Sequence, residues 1–366
     1  MKQAAGGTEF IIIGENIHCS RIVKREGIRG GVDPDGRPGV RFPDGDGESW
    51  VPLPDSILES KEFTSSDRIK HVMAAVRQGL AGGPEADVAG RYVAWMAQRQ
   101  IAGGADYLDL NVDEISADVD GRLEAMKWLV AAVGPVSSVP LSIDSSDAAV
   151  LEAGLDAIEP AWADGATPMI NSASTERPDV LDLVKERGTP VVLSCTGASM
   201  PSGTQDRVER AEQIIGMARE KGLPEDSLHV DPLVIPIGVD PMAGQAYLDA
   251  VSTIRERFGD DIHITGGVSN ISFGLPARRI ITDTFLDMCV EALQATFEVA
   301  RTGEGAPAAR GERALVASRE ELEALLAASA QAGADPAVRP AAIACMHLQS
   351  SVDAALRVAE RGVAPV

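Results

Sequence analysis

The chain has 366 residues, 45% of them hydrophobic, which is long enough for one (β/α)8 barrel of about 250 residues with appendages. Its formal net charge of −22 argues against nucleic acid as a partner, because phosphate backbones are bound by clustered Lys and Arg. The four cysteines, Cys19, Cys195, Cys289 and Cys345, lie far apart with no C-x-x-C pair, so that neither a disulfide framework nor a cysteine zinc site is suggested and a reduced cytoplasm is expected, and no stretch approaches the roughly 20 apolar residues of a membrane span.

In chain order, short apolar or β-branched runs alternate with amphipathic stretches, the pattern of a parallel sheet with helices outside it. The first strand is expected at Phe10–Gly14. Gly27–Pro54 follows, rich in Gly, Pro and Asp with almost no apolar periodicity, and reads as a long loop inserted after strand 1, either a lid or docking element or a tolerated surface insertion. Then come a helix at Ala86–Ala102, a strand at Tyr107–Val112, a helix at Gly121–Ala132 and a strand at Val139–Ile143. A helix at Ala148–Ala157, capped by Ser146 or Asp147, leads to a strand at Pro168–Asn171 and a helix at Pro178–Arg187. Strands at Pro190–Cys195, Leu228–Val230 and Ile262–Thr265 are separated by helices at Arg207–Lys221 and Pro241–Arg257, and Thr284–Ala300 is helical.

Beyond it lie a Gly/Pro/Ala segment, Thr302–Gly311, and a helix opened by Ser318 with Glu321 at capping-box spacing. The eighth strand is expected at either Ala314–Ala317 or Ala341–His347. The reading is a single domain over 1–366: a core of about 10–300, an insertion of about 27–54 and a C-terminal helical extension of about 302–366.

What ends each strand is informative. Glu15 and Asn16 follow the first, Asn111 closes the second, Asp144 the third and Asn171 the fourth. Ser194 and Thr196 end the fifth, Asp231 the sixth, and Ser269 with Asn270 the seventh. In a barrel these ends ring a single mouth, where barrel enzymes place their chemistry. Any one of them is explained as an N-cap or turn former, but seven in succession are hard to assign to capping alone. Carboxylates and carboxamides with no nearby Lys suit a neutral planar heterocycle that offers both donors and acceptors, as a pterin does. A phosphorylated ligand would call for a Gly-rich cradle, and neither G-x-x-x-x-G-K-[ST] nor G-x-G-x-x-G occurs.

Six segments, taken in order, resemble the pterin-binding barrels, and most closely the methyltetrahydrofolate:corrinoid protein methyltransferases and the folate module of cobalamin-dependent methionine synthase. They are Gly14-Glu15-Asn16-Ile17, Ala105–Val112, Pro140–Ser145, Met169–Ser172, Val230–Leu233 and Gly267–Gly274, and the resemblance covers roughly Phe10 to Met288. It implies that Asp144 and Asp231 hydrogen-bond the pterin ring together with Asn171, that Asn270 sits near N5, and that Arg278 matches a polar position beside it. Asn111, Glu15 and Ser194, at the remaining strand ends, complete the expected pterin pocket.

The implied activity is transfer of a methyl group between N5 of (methyl)tetrahydrofolate and the cobalt of a corrinoid, in either direction, including the demethylating one. The N5 amine is a poor leaving group, so methyl departure needs a proton or hydrogen bond there, and an amide can supply the latter. The corrinoid is expected on a separate partner protein, with no tightly bound metal in this chain. Asp261-Ile262-His263-Ile264-Thr265-Gly266 matches the Asp-x-His-x-x-Gly cobalamin signature literally, but it coincides with a barrel strand and is discounted. His18 and Cys19 are read as turn or pocket-wall residues rather than metal ligands. A cytoplasmic homodimer is expected. Two alternatives stay open: a dihydropteroate synthase-like enzyme, against which stands the missing Thr-Pro-Asp-Ser-Phe opening, and a non-catalytic pterin-binding subunit, which would need no group at N5.

Overall fold

The strands form where apolar residues alternate with polar ones between helices, as at Leu108-Asp109-Leu110-Asn111 and Leu141-Ser142-Ile143-Asp144. The computed structural model describes residues 2–3 and 9–301. It divides into two compact units, Met1–Ala173 with Asp179–Val191, and Ser174–Pro178 with Val192–Val366.

In the first unit four parallel strands lie in the order Ile13–His18, Tyr107–Asn111, Leu141–Asp144, Met169–Ala173. Leu108, Leu110, Ile143 and Ile170 are fully buried. Helix Ala148–Asp156 lies so close over Ile143 that a Cβ on Gly154 would stand 2.6 Å from its Cγ2. The pleat therefore turns Ser142 and Asp144 to the opposite face of the sheet, away from that helix. Asp147 is the N-cap of this helix, accepting from Ala149 N at 3.0 Å, and Asp118 caps Val119–Val133 in the same way.

Two expectations need correction in this unit. The first strand is Ile13–His18 rather than Phe10–Gly14, so Glu15 and Asn16 lie within it instead of after it. The ladder starts where Ile13 meets Tyr107, and a bulge between Gly14 and Ile17 carries the strand on to His18. Gly27–Pro54 is not a loop but holds a three-stranded antiparallel sheet, Gly30–Val32, Pro38–Asp44 and Gly47–Pro52. Val40, Phe42 and Val51 are buried, and the Phe42 ring meets Tyr92 edge-on at 5.2 Å. Arg29 lies 5.2 Å over Trp95 and donates to Tyr92 Oη, which in turn is 2.8 Å from His71 Nδ1. The sheet is thereby fastened to helix Pro84–Ala102.

The strands Val191–Ser194, of which all but Val191 belongs to the second unit, Leu228–Asp231 and His263–Ile264 are neighbours in that order, the last two parallel. Helices Gly203–Glu220, Ala243–Phe258 and Arg278–Arg301 accompany them, the last beginning before the expected Thr284. Tyr247, Leu248, Val251, Ile271, Ile281 and Phe285 make one apolar cluster. The segment Thr302–Gly311, the Ser318 helix and both candidates for the eighth strand lie outside the described residues. Among the described residues no helix is long and apolar enough to cross a membrane.

Candidate active site

Strand register assembles the first group of side chains. His18 is opposite Asn111, Asn111 opposite Asp144, and Asp144 opposite Asn171, a single row that ends three neighbouring strands and crosses the fourth at its middle, because that strand runs Met169–Ala173 and does not end at Asn171 as expected. One residue pair deeper, Asp109 stands opposite Ser142. Residues two apart on a strand share a face, so Asp109, Asn111, Ser142, Asp144 and Asn171 project the same way.

These groups bond to one another. Ser142 Oγ donates to Asp109 Oδ1 at 2.7 Å and Asn171 Nδ2 donates to the same oxygen at 3.2 Å. Asp109 is only 2% exposed, and burial raises its pKa to about 6 against the pull of Ser142. Burial also lifts the Asp144 carboxyl well above its usual range, and the neighbouring Asp109 charge adds to the effect while a hydrogen bond with Asn111 opposes it. Burial therefore raises the pKa of both carboxyls, and each is shifted further by its neighbours. Asn111 Oδ1 accepts from Asp113 N at 3.0 Å, and the Asp113 carboxylate in turn accepts from Ser145 Oγ and Ser146 N.

Glu15 joins this group electrostatically by raising the pKa of Asp109. Its own pKa is raised by burial, offset by Arg21, whose guanidinium is 3.7 Å away. His18 Nδ1 accepts from Ser20 N at 3.0 Å, and burial lowers the His18 pKa. Cys19 is buried and its thiol is pushed far up by desolvation. Among the described residues no group of three or more His, Cys, Asp or Glu is placed to hold a metal ion.

The second unit carries the other expected residues on strand ends and turns. Ser194 is buried, and its Oγ donates to Thr196 Oγ1 at 3.2 Å. Asp231 ends its strand, and its Oδ1 accepts from Leu233 N at 2.9 Å. Tyr247 Oη donates to Thr265 O at 3.0 Å. Gly266 leaves room for both neighbours: a Cβ there would stand 2.4 Å from Tyr247 Oη and 3.4 Å from Asp231 Oδ1. Asn270 is exposed in the 3-10 turn Val268–Ser272. Arg278 holds that turn, donating to Ser269 O at 2.8 Å and to Ser272 Oγ at 3.2 Å, with its guanidinium over Phe273.

The literal cobalamin signature is occupied by packing. His263 stacks on His229 with ring centroids 4.6 Å apart, and its Nε2 is 3.1 Å from Asp226 O. His229 is held neutral by burial, with a pKa near 3.

Three functional candidates escaped the sequence reading. Asp109 lies inside a strand instead of at its end, although its alternation with Leu108 and Leu110 puts it on the face of Asn111. Arg207, 1% exposed, reaches Leu233 O at 3.3 Å and Gly203 O at 2.8 Å, and so pins the turn after Asp231. Tyr247 sits in an apolar helical stripe, and nothing in its spacing sets its hydroxyl apart from the core.

A family model described as pterin binding enzyme matches residues 91–303, and the chain belongs to that family. A methylcorrinoid:tetrahydrofolate methyltransferase of Eubacterium limosum is 28% identical over 231 residues, covering 61% of this chain and 79% of its own length. A methionine synthase of Mycobacterium tuberculosis is 32% identical over 213 residues, covering 54% of this chain but only 17% of its own. Among solved structures, a dihydropteroate synthase of Xanthomonas albilineans matches with a TM-score of 0.45 at 18% identity, over 60% of this chain and 84% of that one.

Proposed function

We propose that this chain is a methyltransferase that moves a methyl group between N5 of tetrahydrofolate and the cobalt of a separate corrinoid protein, on a (β/α)8 framework. The observation that carries the reading is the row His18, Asn111, Asp144, Asn171 with Asp109 beneath it: carboxyl, amide and imidazole groups set side by side on neighbouring strands, partly open to solvent above the buried Asp109, in a chain of the pterin-binding family. Its donors and acceptors fit a pterin edge. The Asp144 carboxyl offers acceptor oxygens and the amides offer either role. The methylcorrinoid:tetrahydrofolate methyltransferase likeness supplies the reaction type.

In this reading Asp144, Asn171 and Asp231 hold the ring, with Asn111, Glu15 and Ser194 around them. Asn270 donates from its amide to N5 as the carbon–nitrogen bond breaks, and no side chain needs to become a covalent nucleophile. Arg278 and Arg207 fix the turns that carry Asn270 and follow Asp231. The corrinoid supplies the cobalt that accepts or gives the methyl group, and a partner protein brings it. That fits the packing of His263, whose Nε2 already faces a carbonyl.

The test is to mix the protein with 5-methyltetrahydrofolate and cob(I)alamin and follow the cobalamin absorbance. Conversion to the methylated form supports the reading. Tight folate binding without conversion supports a non-catalytic pterin-binding subunit. Condensation of a dihydropterin pyrophosphate with 4-aminobenzoate by the same preparation supports a dihydropteroate synthase.

A further inference from the structure

We infer that Asp109 is a positioning residue that orients the Asn171 amide, so that Asn171 meets its ligand through its carbonyl oxygen. Asp109 cannot touch the ligand itself, being 2% exposed and seated one pleat repeat below the strand ends. What it does is determined by its chemistry. Its Oδ1 already accepts from Ser142 Oγ, and the Asn171 amide meets that same acceptor oxygen through Nδ2, its donor end, at 3.2 Å. The oxygen and nitrogen of a carboxamide diverge from one trigonal carbon, so with Nδ2 on Asp109 the carbonyl oxygen Oδ1 is directed elsewhere.

Ser142 Oγ, bonded to the same Asp109 oxygen at 2.7 Å, keeps the carboxylate from rotating. The register that sets Asp109 opposite Ser142, and Asp144 opposite Asn171, fixes all four groups to rigid strands. An unrestrained amide would sample both orientations and lose its power to discriminate. Held this way, Asn171 selects a ring N–H or exocyclic amino group and rejects a bare acceptor. This deepens the pterin reading of the site and rests on it.

The test compares tetrahydrofolate affinity by calorimetry in five proteins: the parent, Asp109→Ala, Asn171→Ala, the double variant and Asp109→Asn. Asp109→Ala should weaken binding about tenfold, the size of one lost hydrogen bond. In an Asn171→Ala background the same change should cost less than about twofold, because Asp109 acts only through that amide. Asp109→Asn, whose amide oxygen still accepts from Ser142 and Asn171, should recover binding to within about threefold of the parent. Equal losses in both backgrounds would overturn the inference.

A second measurement needs no ligand and no variant at Asp109. With asparagine-selective nitrogen labelling, the Asn171 side-chain amide, assigned by its disappearance in Asn171→Ala, should show one strongly downfield, slowly exchanging proton. An Asn171 amide at free-amide shifts in a folate-binding protein overturns this inference alone. A held amide in a protein that does not bind tetrahydrofolate overturns the pterin reading, and the ligand half of the inference with it.

Discussion

Asp144 and Asn270 are both polar residues near the ends of parallel strands, yet the fold treats them in opposite ways. Asp144 is a ladder residue, locked by pairing with Asn111 on one side and Asn171 on the other, and burial raises the pKa of its carboxyl. Asn270 is exposed on a short turn whose shape depends on one arginine, Arg278. The contrast separates two tasks. A ligand-gripping group gains from rigidity and desolvation, whereas a group needed only as charge develops at the reacting nitrogen can sit on a turn.

The largest effect should come from Asp144→Ala, which removes a buried hydrogen-bonding carboxyl and is expected to weaken tetrahydrofolate binding by about 100-fold. Thermal melting should be unchanged or raised, because the lost group resisted burial. A falling Tm with unchanged affinity would erase the distinction between gripping group and scaffold.

The second unit is probed next by Arg207→Met, which strips the bonds to Leu233 O and Gly203 O and should cost about 2–3 kcal/mol in denaturant unfolding. Gly266→Ala places a methyl group against Tyr247 Oη and should cost about 1–3 kcal/mol while shifting the hydroxyl off Thr265 O. If that substitution were silent, the close approach of Asp231, Tyr247 and the Gly266 backbone would not matter.

The smallest effect is on pH dependence. The folded-state pKa of Asp109 lies above its unfolded value, so the folded protein binds more protons and the stability from this group is full below about pH 4 and lost as pH rises through about 6. The slope is at most about 1.4 kcal/mol per pH unit for each proton. Asp109→Asn should flatten it in a series of denaturation midpoints. A stability that rises through the same window would show that the carboxyl pair is not buried as described.

The strand-end residues were legible because the pleat and the parallel pattern together decide which face and which end a side chain occupies, as Asn111 and Asp144 show; Asn171 shares their row although its strand runs on to Ala173. Glu15 was misplaced because Phe10–Ile13 is uniformly apolar and gives no internal mark of where pairing begins. The sheet within Gly27–Pro54 was hidden by its turn residues. Asp33–Gly36 and Asp44–Gly47 dominate its composition, while the alternation that buries Val40 and Phe42 is only three residues long. Asp109 was overlooked for a different reason: its role arises from contacts to Ser142 and Asn171, 33 and 62 residues away, which no local pattern encodes.

The most direct test of the division of labour is Asn270→Ala, measured for tetrahydrofolate affinity and for the single-turnover rate of methyl transfer to cob(I)alamin in the same preparation. The account predicts a rate lowered by about 100-fold or more with affinity changed less than about threefold. A rate equal to that of the unsubstituted protein, or a rate and affinity that fall together, would contradict it.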